Sequence, residues 1–313
     1  MVVFLIRLLD KYFPVLTPTF LLLGLALGSS VGEFSVIVPV LFAGATFIGS
    51  LKIDFKSFLQ TARRPKGIIG AMLILRLLMP IIALLFGRMV FPNDIYTQTG
   101  LLLFGLLPVA ISSVVWTMMV KGNIALTLSV LLLDTILTPI MLPASVLLIT
   151  GTSIDFDAIG MMMSLLFMVV VPSLVGMSLN QFTNGSFGEK WSAKLGPFAK
   201  IFLLMVITIN GGNIRQYFPP ISVHLLAIIM SIVVLSVTGY LISWLVAKVL
   251  KLPDADARAV VFAGGMRNMS TGVVIAVAYF PPAAAIPIVT GIFFQQIVCA
   301  MIAKLLERYY DRD

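Results

Sequence analysis

One cysteine and one histidine occur in 313 residues, and only 11% of the chain is charged. With Cys299 alone, neither an intramolecular disulfide nor a thiolate metal cluster can form, and a lone cysteine in an apolar run reads as a small buried hydrophobe. The hydrophobic runs hold no cluster of His, Asp and Glu and no zinc-ligand spacing, so no metal or cofactor is expected and an enzyme has little chemistry to draw on. The polar segments are too short for the output domain of a receptor. No small-residue cleavage site follows a short apolar core near the N-terminus, so no cleavable signal peptide is expected. What the chain does have is apolar residues, at 60% of its length, which excludes an ordinary soluble domain.

A bilayer-spanning helix needs ~20 mostly apolar residues. Ten runs qualify, at roughly 13–31, 34–51, 67–90, 96–120, 123–150, 157–181, 198–214, 222–247, 258–280 and 283–306. The net charge of +8 could suggest nucleic acid, but its placement argues for topology. With a cytoplasmic N-terminus, Arg7, Lys11, Lys52, Lys56, Arg63, Arg64, Lys66, Lys121, Lys190, Lys194, Lys200, Lys248, Lys251, Arg258, Lys304, Arg308 and Arg312 all face inward, and only Arg88 and Arg215 face outward. The expectation is a multi-pass protein of the cytoplasmic or plasma membrane, with both termini inside, the lipid bilayer as its partner and no nucleic acid.

Ten spans divide into two sets of five, 1–151 and 152–313, and an odd number per half requires opposite insertion of the halves. This is the inverted-repeat arrangement of secondary transporters. Each half opens with a Pro-interrupted span, at Pro18 and Pro172, and each has a fourth span broken near its middle: Pro108-Val109-Ala110-Ile111-Ser112-Ser113 in the first, Gly264 to Gly272 in the second. The join falls near Gly151-Thr152-Ser153. Proline removes a backbone donor and glycine weakens a helix by about 1 kcal/mol relative to alanine, so such breaks survive in a membrane only where protein or a water-filled cavity satisfies the freed groups. A matched pair points to a midplane substrate site.

Arg63-Arg64-Pro65-Lys66 with Leu78-Met79-Pro80, Val120-Lys121-Gly122-Asn123-Ile124-Ala125-Leu126 with Leu137-Thr138-Pro139, and Gly265-Met266-Arg267-Asn268 together resemble the bile acid:sodium symporter family over almost the whole chain. The resemblance implies an all-α membrane fold with a panel domain (spans 1, 2, 6, 7) and a core domain (spans 3–5, 8–10). It also implies broken spans 4 and 9 that cross in the core, and organic anions bound in the cleft between domains. Carried over by position, Asn268 matches an asparagine beside the bound anion, and Ser113 and Thr127 match two oxygen ligands of a sodium site. The departures are that the acid of span 9 is Ala263, the glutamine before the asparagine is Arg267, the span 4 asparagine is Val114, a span 5 hydroxyl is Leu131 and the span 3 glutamine is Leu75. Sodium needs several oxygens, and a guanidinium ~4 Å from it would cost about 4 kcal/mol at an effective dielectric near 20. Sodium coupling is therefore not expected.

Arg76, Asp134 and Arg267 are the ionisable residues placed inside spans, each a functional-site hypothesis by default. Arg267, inside the second break, can serve as a built-in cation in place of a mobile sodium and as an attractor for an anion, or simply lock span 9 to a neighbour. Thr127, Asp134 and Thr138 share one helical face with Leu131. Asp134 there can pair with Arg267 or carry a proton, and Arg76 can contact the anion or pair with Asp134; these alternatives stay open. Among blander features, Gln295 or Gln296 should make a core hydrogen bond, Asn210-Gly211-Gly212-Asn213 reads as a helix stop, and Trp116 lies near enough to the first break to line the cleft.

The function expected is alternating-access transport of a small organic anion, a monocarboxylate or sterol-type acid. Ser112, Ser113, Arg267, Asn268, Ser270 and Thr271 would bind substrate, with Thr127, Asp134, Arg267 and Arg76 in the former ion region. A conventional sodium symporter, a membrane receptor or enzyme, and an arsenite-type exporter are the rivals. The last would need a thiol in span 4, whereas Cys299 lies in span 10.

Overall fold

The computed structural model describes residues 2–51, 65–150, 157–220 and 222–310. Lys52, Lys56, Arg63, Arg64, Arg312 and the expected join at Gly151-Thr152-Ser153 lie outside the described residues. The protein is all-helical. In chain order the segments are α1 (Val2–Leu27), α2 (Ser29–Ser50), α3 (Pro65–Val90), α4 (Ile95–Leu106), α5 (Ser112–Met119), α6 (Ile124–Thr150), α7 (Ala158–Phe182), α8 (Ser186–Ile214), α9 (Val223–Val249), α10 (Asp254–Gly265), α11 (Met269–Tyr279) and α12 (Ala285–Tyr310).

Seven of the ten hydrophobic segments are long apolar helices; the remaining three have shorter apolar helices, Val15–Leu27, Ile95–Leu106 and Met269–Tyr279. The fourth and ninth are short because each is interrupted, as α4–α5 and α10–α11. The half-helices that lead into the breaks are buried, with Leu101, Leu102 and Leu103 of α4 and Val260, Val261 and Phe262 of α10 all inaccessible, whereas α5 beyond the first break exposes Val115, Met118 and Met119.

The helices sort into two packing groups. In one, α1 lies along α8, and α2 packs on both α7 and α8. In the other, α3 packs on α4, α9 on α10 and α12, and α10 on α3, α5 and α6. The groups meet chiefly where α8 touches α11 and α6 touches α7.

Prolines shape the helices locally. Pro80 cannot donate to the carbonyl four residues back, and the turn before it, Ile74–Leu78, widens to π-type geometry with Arg76 at its centre. Such a bulge frequently marks a functional position. Pro139 inside α6 likewise leaves the Thr135 carbonyl without its helical donor.

Asn210-Gly211-Gly212-Asn213 does close its helix, α8 ending one residue later at Ile214. Arg258, expected at the very start of the ninth span, is buried in α10, which begins four residues earlier, and its Nη1 donates to the Val120 carbonyl at 2.6 Å. Gly28-Ser29-Ser30-Val31-Gly32 fits a nucleophile-elbow string, but it joins two helices rather than a strand to a helix, so it lacks that motif's context.

Candidate functional site at the crossing of two broken helices

The two breaks touch. Leu107–Ile111 and Met266–Asn268 run past each other as a short antiparallel pair, with Val109 opposite Arg267. The Ala110 amide donates to the Met266 carbonyl at 3.2 Å and the Asn268 amide to the Pro108 carbonyl at 2.8 Å. Backbone groups freed from both helices thus satisfy each other, which is how an irregular segment avoids a cost of several kcal/mol per unpaired group in an apolar setting. The nearby glycines serve close approach rather than unusual dihedrals. A Cβ on Gly265 would lie 2.2 Å from the Tyr240 ring, and one on Gly272 would lie 2.4 Å from the Leu107 side chain.

All three intramembrane charges gather here. Asp134 and Arg267 are 0% and 1% exposed. Asp134 Oδ1 is 2.5 Å from Arg76 Nη2, and its Oδ2 accepts the Val109 amide at 2.8 Å, so the carboxylate ties α3 and α6 to the first break. Arg76 Nη2 also reaches the Thr138 hydroxyl at 2.5 Å and the Asp134 carbonyl at 3.0 Å, while its Nη1 reaches the Leu106 carbonyl at 3.4 Å. Arg267 Nη1 makes a long 3.5 Å contact to the Leu107 carbonyl. Its backbone amide donates to Gln295 Oε1 at 3.0 Å. Both guanidinium groups therefore sit at the C-terminal end of half-helix α4, whose exposed carbonyls carry a partial negative charge of about half a unit.

Asp134 thus pairs with Arg76, one of the pairings the sequence left open, and among the described residues it forms no ion pair with Arg267. The reason is positional, since the π-type turn in α3 carries Arg76 to the Asp134 carboxylate while Arg267 is held by its own break. Two guanidinium charges against one carboxylate leave one positive charge over, and among the described residues Arg267 Nη2 has no hydrogen-bond partner.

Beside the crossing is a small cleft lined by Phe42, Thr46 and Ser50 of α2, Val109 and Ile111 of the first break, Leu131 and Thr135 of α6, Ser173 of α7, and Asn268 and Thr271. Of the expected substrate residues, Asn268 and Thr271 are on this wall. Asn268 caps α11 by accepting the Thr271 amide at 3.1 Å. The Thr271 hydroxyl, 1% exposed, has no partner among the described residues, and neither does the Ser113 hydroxyl. Arg267 lies one residue behind the wall. Ser112, Ser113 and Ser270 do not line the cleft.

Thr127 does not join the Asp134–Thr138 cluster; its hydroxyl pairs with that of Thr117 at 3.0 Å. Trp116 turns away from the cleft, stacking on Phe262 and donating to Gln296 Oε1 at 3.3 Å. Gln295 makes the core hydrogen bond expected of that pair. The residues sequence reasoning missed are Thr46, Ser50, Thr135 and Ser173. Of these Thr135 carried a signal, standing one helical turn beyond Leu131, and Ser173 a weaker one, directly after Pro172.

The chain is similar in sequence to known proteins. Residues 11–308 match the SBF-like CPA transporter family. The uncharacterized protein YbaS of Bacillus subtilis (strain 168) is 39% identical over 95% of this chain and 97% of its own. The uncharacterized sodium-dependent transporter YocS of the same organism is 25% identical over 79% of this chain and 76% of its own. The probable sodium/metabolite cotransporter BASS1, chloroplastic, of Arabidopsis thaliana is 26% identical over 78% of this chain and 60% of its own.

Proposed function

Because this chain belongs to the SBF-like CPA transporter family, related to the bile acid:sodium symporters, and is a multi-pass secondary transporter, we propose that it moves a small organic anion by alternating access, with Arg267 as a fixed cation in place of a coupling sodium ion. In this reading ten spans form two inverted five-helix repeats, 1–151 and 152–313. The panel is α1, α2, α7 and α8, the core is α3–α6 and α9–α12, and both termini are cytoplasmic.

The observation that carries the proposal is the unneutralised guanidinium of Arg267 beside unpartnered buried hydroxyls at the crossing. A buried donor left unmade costs about 1–3 kcal/mol, more when charged. Arg267 Nη2 is an obligatory donor, and the Thr271 and Ser113 hydroxyls can donate as well. An anion approaching Asn268 and Thr271 would meet the Thr271 hydroxyl on the wall and the attraction of the Arg267 charge next to Asn268 in the chain, in a low-dielectric setting that strengthens it. Monocarboxylates and sterol-type acids are the substrate class under this reading.

The absence of sodium coupling is supported by the side chains at the family's ligand positions. Leu75, Leu131 and Ala263 are apolar and buried, and the guanidinium groups of Arg76 and Arg267 already lie on the carbonyls at the end of α4. The rival is a sodium symporter, in keeping with one relative named a sodium-dependent transporter and another named a probable sodium/metabolite cotransporter. Asp134 as a proton carrier is disfavoured by its two engaged oxygens.

The test is a thermal-shift screen of organic anions on the purified protein, since a ligand that binds only the native state raises the melting point by mass action. A carboxylate that stabilises the wild type equally in sodium and choline, but not Arg267→Gln, is the expected result. Stabilisation only in sodium would revive the symporter, and equal stabilisation of Arg267→Gln would remove the fixed-cation role.

A further inference from the structure

Tyr279 ends α11 and reaches across to α7, joining the two packing groups by hydrogen bonds. Its hydroxyl donates to the Gly160 carbonyl at 3.0 Å. That uses its one proton, so the contact with the Ser164 hydroxyl must be donated by the serine. Gly160 is held in the first turn of α7, where Asp157 Oδ1 accepts its amide at 2.8 Å. The acceptor carbonyl is therefore presented by a capped helix start rather than by a loose loop.

This link stands at the opposite end of both helices from the cleft. At 1.5 Å per residue, Ser164 is about 14 Å along α7 from Ser173, and Tyr279 about 12 Å along α11 from Thr271. Between link and cleft both helices contribute to one apolar cluster. Met168 of α7 and Val274 of α11 pack there with Val38, Phe42, Val206 and Ile209. Phe42 also forms part of the cleft wall, so the apolar cluster closes the cleft directly on that side. Toward the other face the cleft runs along Gly49 and Ser50, at the far end of α2.

We propose that Tyr279, with Ser164 and the Gly160 carbonyl, is the latch of a gate that closes the cleft toward the face expected to be external. Val274 and Met168 are the water-excluding plug beneath it. The inference rests on the alternating-access reading and adds which residues hold one of its end states. The materials suit a gate. The apolar cluster to which α7 and α11 both contribute excludes water without committing buried charges, and two neutral hydrogen bonds contribute little net stability. Such a latch can be opened and remade within a transport cycle. A salt bridge in the same place would leave two desolvated charges to be rehydrated at each opening.

Accessibility of the cleft tests this without knowledge of the substrate. Thr46→Cys, placed in a Cys299→Ser background, reports on the wall. Its modification by a membrane-impermeant thiol reagent is followed from outside in intact cells and from inside in inverted vesicles. In the otherwise wild-type latch, the inner face should react faster. Tyr279→Phe and, separately, Ser164→Ala should raise the external rate roughly three- to tenfold and lower the internal rate, as expected for losing one or two net hydrogen bonds from the outward-closed state. Inner-face reaction unchanged by either variant would overturn the latch while leaving alternating access intact. Equal reaction from both faces before any latch variant would overturn alternating access itself.

Discussion

Arg76 Nη2 lies 2.5 Å from Asp134 Oδ1, on side chains 6% and 0% exposed, and this pairing determines which arginine is left without a counter-ion. Asp134 spends its other oxygen on the Val109 amide. The pair therefore fastens the first break to α3 and α6. Arg267 is free of that duty and supplies the surplus charge.

Removing one partner of a buried pair strands the other charge, so Asp134→Asn is expected to destabilise the detergent-solubilised protein by about 3–5 kcal/mol. A double-mutant cycle with Arg76→Met should then show coupling well above ~0.5 kcal/mol, and larger than the coupling of Asp134 with Arg267→Gln. The reverse order of couplings would reassign Asp134 to Arg267.

Close packing behind the break gives a second expectation. A methyl group on Gly265 would lie 2.2 Å from the Tyr240 ring, and that ring is buried. Gly265→Ala should cost about 1–3 kcal/mol as an overpacking change. Gly239→Ala, whose Cβ would meet Met79 Cε at an ordinary 3.5 Å, should be neutral or gain up to ~1 kcal/mol from helix propensity. Equal melting points for the two variants would show that Tyr240 yields freely.

The helical segments were legible because a bilayer span leaves a long apolar run, and the breaks because proline and glycine stand in matching places. The meeting of the breaks was legible only through family resemblance. The bonds that join them run from the Ala110 amide to the Met266 carbonyl and from the Asn268 amide to the Pro108 carbonyl, and a sequence does not display backbone groups. The same holds for Asp134, whose second oxygen is taken by an amide. The choice between Arg76 and Arg267 as its partner depended on a π-type turn of five residues, which shifts the facing of every later side chain in α3. Thr46 and Ser50 come from a helix with no intramembrane charge and no Pro/Gly break noted in the sequence, so nothing marked them as cleft residues, and Ser173 was marked only by the neighbouring Pro172.

Orientation is open to direct labelling. In a Cys299→Ser background, Lys66→Cys at the start of α3 should react with an impermeant reagent only from the cytoplasmic side. Asp94→Cys, at the cap of α4, should react only from outside. The excess of Lys and Arg on one set of loops is the basis for this assignment. External reaction at position 66 in intact cells would reverse the topology and, with it, the face to which the Tyr279 latch is assigned.

The fixed-cation reading makes its sharpest statement about salt. If the Arg267 guanidinium stands where a coupling ion would, the carboxylate identified by thermal shift should be transported at the same rate when sodium is replaced by choline at constant ionic strength. The Arg267→Gln protein should fold and yet lose at least about tenfold in anion affinity, because a charge-assisted contact is worth ~1.5–3 kcal/mol and tenfold corresponds to ~1.4. Arg267→Lys keeps the charge but not the planar fork that reaches the Leu107 carbonyl. Partial recovery of affinity in Arg267→Lys would mean that charge dominates, and no recovery would mean that the geometry at the end of α4 is what matters. A sodium stimulation of tenfold or more in the wild type would show that oxygens other than Ser113 and Thr127 have rebuilt a sodium site, and the guanidinium at the crossing would then be a structural tie between the two breaks.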